Sequence, residues 1–171
     1  MTYDIHPIVV HFPIAMLILY SLMTLLPFQK WMPNISWKHI ERALLLVGFA
    51  GAVVASGTGE TAEHLMRPNH ALVEMHSLFA GAATWIYGVL LLGECIAVGR
   101  RYIERYIRWN PLKRVLFRIG ALLERRGVAF ILSGVGLIAI SVTGILGGVL
   151  VYGTSKDPFA LILLNLFGIH L

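Results

Sequence analysis

Four long apolar runs divide the chain: His11 to Phe28, Ala43 to Thr58, Ser77 to Val98 and Gly127 to Tyr152. Each meets or nearly meets the roughly 20 residues that a helix needs to cross a hydrocarbon core of about 30 Å. The second run is short unless Gly57 to Glu63 continues its helix. A last apolar stretch, Pro158 to Leu171, is too short to span and is expected at the interface or tucked into the bundle mouth. Between the third and fourth runs, Leu112, Val115, Leu116, Ile119, Leu122 and Leu123 recur at helical spacing, while Lys113, Arg114, Arg118 and Arg125 fall mostly elsewhere on the wheel. The pattern predicts an all-α integral membrane four-helix bundle forming a single domain over residues 1–171. It adds an amphipathic cytoplasmic helix between spans three and four and a short apolar C-terminal segment.

Composition agrees. The chain is 57% hydrophobic and only 13% charged, with a mean hydropathy of +0.76, so its solvent is expected to be lipid rather than water. The opening "MTYDI" lacks the basic region and small-residue cleavage site of a secretory signal, so the first span is read as retained. The single cysteine, Cys95, rules out a disulfide framework, a C-x-x-C-H haem attachment and a Cys-rich zinc site within the chain. No solenoid-type repeat is visible.

Net charge is +5, and its distribution sorts the loops. With four spans, one side receives the connection from Gln29 to Arg42 and the basic loop from Gly99 to Arg126. Twelve of the fourteen Lys and Arg residues fall there, leaving only Arg67 and Lys156 opposite. The positive-inside rule then turns that side to the cytoplasm and leaves both termini outside, which in a bacterium makes this a multi-pass protein of the inner (cytoplasmic) membrane. Nucleic acid is the competing partner for a basic stretch, but attraction to anionic lipid already accounts for a basic segment with an apolar face between two spans. The partner called for is the lipid bilayer, and no nucleic acid.

The histidines collect at the other end. His39 sits in the basic loops, whereas His6, His11, His64, His70, His76 and His170 fall on the outer side with Glu60, Glu63 and Glu74. A lone histidine at a helix end is ordinarily an interfacial residue, and His70 in its polar turn is read so. Three elements nevertheless converge: His11 enters the first helix, Glu60 and His64 close the second one turn apart, and His76 begins the third. His6 lies further out, with Pro7 able to start a helix and Pro13 able to kink it. Polar groups at that depth are costly unless paired or coordinating. Small residues at Gly51, Ala55 and Gly59, at Gly81 and Gly88, and in Gly144-x-x-x-Gly148 would let helices approach closely near this layer, with or without a ligand.

In order along the chain, "HPIVVHFPIAML", "ASGTGETAEHL", "EMHSLFA" and "TGILGGVLVYG" resemble the bacterial transmembrane domain family of unknown function 2231. The resemblance covers most of the chain and implies a membrane protein. It also implies a redox setting, since some members of that family carry fused cytochrome c-type domains. The basic loop from Arg100 to Arg126 is longer than the connection the resemblance implies, and a partner complex, respiratory or otherwise redox-active, is one use for it.

Three functions follow as expectations. The first is a membrane b-type haem protein, an electron-transfer subunit whose haem b is clamped by two neutral imidazoles from different helices. His11 and His76 are the preferred pair, His6 and His64 the substitutes, and Arg67, Lys156 and Tyr152 the outer-side groups available to propionates. The second is a cofactor-free scaffold or assembly subunit whose polar layer binds the helices together. The third is a periplasmic-side transition-metal ion (zinc, copper or iron) held by His6, His11, Glu60, His64 and His76. No G-x-S-x-G or H-E-x-x-H signature points to a hydrolase. Glu94, inside the third span, is expected to pair with Arg100 or Arg101 rather than to carry ions.

Overall fold

The computed structural model describes residues 6–66, 69–153 and 158–168, with side chains for all of these except residues 7, 60–66 and 158. Every regular element among them is helical: α1 (His6–Leu25), α2 (Phe28–Trp31), α3 (Trp37–Met66), α4 (His70–Val98), α5 (Arg100–Tyr106), α6 (Asn110–Leu123), α7 (Arg126–Tyr152) and α8 (Pro158–Leu166). Four of them, α1, α3, α4 and α7, are long and apolar enough to cross a membrane. The architecture is the all-α membrane bundle expected from the hydropathy pattern.

Two boundaries moved. The second span is the middle of a 30-residue helix that starts at Trp37 and continues past Glu63 to Met66. Its polar first turns, with Lys38, His39, Glu41 and Arg42, had the look of a connecting loop. Trp37 fixes that start, because its indole is buried and Nε1 donates to the Met32 carbonyl at 2.8 Å. The third span likewise begins seven residues before Ser77, at His70. There the Asn69 side chain accepts from the backbone N–H groups of Ala71 at 3.0 Å and Leu72 at 3.4 Å, satisfying donors that a helix start leaves open. His76 therefore stands inside α4 rather than at its mouth. At the far end of α7, Gly153 takes φ 74° and ψ 179°, a region essentially confined to glycine, and its N–H donates to the Val149 carbonyl.

Packing is pairwise. α1 lies chiefly against α3, and α4 chiefly against α7, with α1–α7 and α3–α4 contacts joining the pairs. Glycines set the first of these interfaces. A Cβ on Gly48 would lie 2.7 Å from Leu17 Cδ2, one on Gly51 3.1 Å from Pro13, and one on Gly59 3.3 Å from the His6 ring. α1 thus descends a ladder of small residues on α3, and the backbones approach because nothing projects between them. Helix α1 runs on through Pro13, whose ring is buried on that ladder.

The core joins all four spans through Leu17, Tyr20, Leu45, Ala83, Tyr87, Leu90, Ala139 and Ile140. A second apolar cluster lies beyond it at the histidine end, where Ala160 and Leu164 of α8 pack on Leu72, Leu146 and Val149, and Phe167 meets Phe79 at 5.4 Å. The C-terminal apolar segment is therefore docked on the ends of α4 and α7. Helix α6 is amphipathic as expected and sits on α4 through two close seats, Gly120 under Ile96 and Leu123 on Gly93. Its Leu112, Val115, Ile119 and Leu122 remain exposed.

Candidate functional site

His6 is the first described residue of α1, half-buried, with its ring over the backbone of Gly59 on α3. Its Nδ1 lies 2.8 Å from Thr58 Oγ1. The Thr58 hydroxyl donates its own proton to the Ala55 carbonyl at 2.9 Å, so its oxygen accepts and His6 Nδ1 is the donor. His76, on α4, has the same construction. Its Nδ1 lies 3.1 Å from the Thr143 carbonyl of α7, which can only accept. Its Cε1 comes within 3.2 Å of where a Cβ on Gly147 would stand.

When neutral, a ring bonded this way carries its proton on Nδ1 and its lone pair on Nε2, the tautomer that ligates metals through Nε2 with Nδ1–H anchored to an acceptor. The two rings come from different helix pairs, His6 from α1–α3 and His76 from α4–α7.

The other candidate residues are distributed less favourably. His11, in the preferred pair of the sequence reading, is exposed on α1, because five residues of helix turn it away from the face that His6 shares with α3. His70 and Glu74 are exposed on the first turns of α4. Glu60 and His64 lie in the last turns of α3, toward the same end as His6, but their side chains, with those of Glu63, lie outside the described residues, as do Arg67, Lys156 and His170. Tyr152 is exposed. Among the described residues no group of three or more His, Cys, Asp or Glu side chains is placed to hold a metal ion.

Sequence reasoning missed Thr58 and Thr143, which hold the rings, and Gly147, which seats one. Gly144 and Gly148, the pair singled out by spacing, face open space instead, with no atom within 4 Å of an added Cβ.

A family model described as predicted membrane protein (DUF2231) matches residues 2–155. The chain belongs to this family. The match takes in all four spans and both anchored histidines, and it ends before α8. No curated protein and no solved structure matches the chain.

This DUF2231 protein has a second polar assembly at its basic end. Glu94 of α4 is paired with two cations of α3: Lys38 Nζ, and Arg42 Nε at 2.8 Å. Neither Arg100 nor Arg101 takes that role, contrary to expectation; Arg100 bonds Glu104 at 3.2 Å. Glu41 is buried beside this group, with its carboxylate 3.9 Å from Lys38 Nζ. A cavity of about 50 Å³ opens here between Tyr20, Thr24, Glu41, Gly93, Glu94 and Glu124. The assembly lies at the opposite end of α3 and α4 from the histidines and is a tie between two spans, with its charges matched locally.

Proposed function

We propose that this chain is a membrane b-type haem protein, an electron-transfer subunit in which His6 and His76 would hold the haem iron. The observation that carries the reading is the shared anchoring: each ring, on a separate helix toward the same end of the bundle, is bonded through Nδ1, as a metal-ligating histidine is. Two imidazoles complete the axial set of a haem iron, whereas a discrete zinc or copper ion needs three or four protein donors. The donor chemistry of two anchored imidazoles thus fits the porphyrin better than the bare ion. Haem, when bound, supplies reversible one-electron chemistry. The protein's own residues orient the ligands: the Thr143 carbonyl and Thr58 hydroxyl hold the Nδ1 protons, which raises the donor strength of Nε2, and Gly147 and Gly59 let the rings sit against the helix backbones.

The test is an absorption spectrum of the detergent-purified protein from haem-replete cells, oxidised and then reduced. A Soret band with sharp reduced α and β bands, lost in His6→Ala and in His76→Ala but kept in His11→Ala, is expected. Its absence from the unaltered protein rejects the reading.

One observation favours a second reading, a cofactor-free scaffold or assembly subunit. The same two histidine bonds each tie one helix to its neighbour, α1 to α3 and α4 to α7, and such bonds are a sufficient use for a histidine in lipid. Under it, the purified protein is colourless and free of metal, and His76→Ala lowers thermal stability without changing any spectrum.

The finer placement also belongs here. Lys and Arg crowd the end of the bundle that carries α2, α5 and α6, and this supports a bacterial inner-membrane protein with that end in the cytoplasm and both termini outside. A reporter fused at residue 110 is then active only as a cytoplasmic enzyme, and one fused at residue 171 only as a periplasmic one. The reverse result inverts the topology and puts the histidines inside.

A further inference from the structure

Helix α5 leaves the membrane end of α4 with its cations unevenly used. Arg100 is committed: it bonds Glu104 at 3.2 Å, and its guanidinium lies 5.1 Å from the Phe117 ring centroid of α6. Arg101 and Arg105, one helical turn apart, have no carboxylate partner among the described residues. They line a groove of about 470 Å³ with Val98, Tyr102 and Tyr106. The two phenols stack at 6.5 Å with their planes 9° apart, and the Arg105 guanidinium stands 5.7 Å from the Tyr106 ring centroid. Both tyrosines are more than two-thirds exposed, and Trp109, just beyond, is exposed too.

Three physical features select an occupant. Paired guanidiniums one turn apart suit a phosphate, which they can grip through several N–H bonds at once. Tyrosine and tryptophan at the end of a span mark the headgroup level of a bilayer. The groove starts at Val98, the last residue of span α4, so its floor is continuous with the lipid-facing surface while its rim is cationic. A polyanion arriving from water would have no use for that apolar floor. An acyl chain would.

We infer that α5 and the end of α4 form a binding site for one anionic phospholipid, its phosphate held between Arg101 and Arg105 and its chains running down from Val98. The site differs from the diffuse attraction of a basic loop to a charged leaflet, because it depends on two particular arginines rather than on net charge. It stands independently of the haem reading and lies at the opposite end of the bundle.

The experiment places the full-length protein in detergent, strips its lipid, and titrates it with phosphatidylglycerol or phosphatidylcholine while native mass spectrometry counts bound molecules. Saturable binding of phosphatidylglycerol, at least about ten-fold tighter than phosphatidylcholine and unaffected by millimolar inorganic phosphate, is expected; that ratio corresponds to one decade in Kd. R101Q/R105Q should lose most of the preference, while R114Q/R118Q, which removes the same charge from α6, keeps it. Equal loss in both double variants reduces the effect to net charge and overturns the site. So does an unaltered protein that does not distinguish the two lipids, a measurement that needs no variant to fold. Displacement by free phosphate would assign the groove to a soluble anion and overturn the lipid.

Discussion

Ser21 on α1 and Tyr87 on α4 meet hydroxyl to hydroxyl at 2.8 Å in the middle of the bundle, both fully buried. In lipid, interhelical bonds of this kind are worth about 0.6 kcal/mol on average and up to about 1.7 kcal/mol. Tyr87→Phe keeps the ring, and with it the edge contact to Tyr20 at 6.2 Å, but removes the partner of Ser21. A loss of about 1 kcal/mol is expected. Ser21→Ala added to Tyr87→Phe should cost clearly less than the two single losses added together. Denaturation of all four proteins in one detergent, followed by helical circular dichroism, reads the cycle.

Helix α6 should detach when its seats are filled. A Cβ on Gly120 would come to 2.6 Å from Ile96 Cγ2, and one on Gly93 to 2.8 Å from Leu123 Cβ. Ile96 is β-branched and cannot swing aside cheaply. Gly120→Ala is therefore expected to speed proteolysis in residues 107–109 and 124–125, on either side of α6. Gly127→Ala, where an added Cβ meets nothing within 4 Å, should leave the rate unchanged or lower.

At the histidine end, neighbouring glycines should behave oppositely. Gly147→Val drives a branched side chain into the His76 ring, which already stands 3.2 Å from an ideal Cβ there, whereas Gly148→Val points into open space. The first variant is expected to lose stability by about 1–3 kcal/mol through overpacking, and the second to stay within about 0.5 kcal/mol of the parent. If the purified protein carries a Soret band, Gly147→Val should also weaken or shift it. Equal behaviour of the pair would mean that His76 does not rest on α7.

Glu94→Gln should loosen the basic end. It removes the charge that Lys38 and Arg42 share across α3 and α4. Hydrogen bonds to charged groups are worth about 1.5–3 kcal/mol, but Lys38 is about half exposed and screened, so a net loss of about 1–2 kcal/mol is expected. Because part of that pairing faces water, the gap between variant and parent should narrow in roughly 0.5 M salt. A gap that ignores salt would show that burial of Glu94, rather than its exposed partner, sets the energy.

The spans were legible because lipid leaves a long apolar run little choice of structure: each backbone polar group must be satisfied within the helix. Their ends were less so. Trp37 to Arg42 carries the charges of a loop, and it is the burial of Trp37 and the pairing of Lys38 and Arg42 with Glu94 that favour helix there. At the candidate site, residue types alone placed the candidates at one end of the bundle but could not give the phase of α1, on which His11 is exposed and His6 faces α3. His11 looked better placed than His6 by depth, yet the ladder of Gly48, Gly51 and Gly59 decides which face of α1 turns inward, and His6 shares it. Gly147 was hidden for a related reason, since fourfold spacing pointed to Gly144 and Gly148, while the contact that matters is to one ring on another helix. Spacing along one strand of sequence cannot report the rotation of a second helix.

The pairwise packing of the spans bears on how the protein is made. Helix α1 can settle against α3 as soon as both have left the ribosome, with most of its final neighbours already synthesised. Helix α4 has no such luck: its main companion, α7, starts only at Arg126, after α5 and α6 have emerged. The third span must therefore wait in the bilayer beside a nascent amphipathic segment, and biogenesis is most exposed to failure, or to help from an insertase, in that interval.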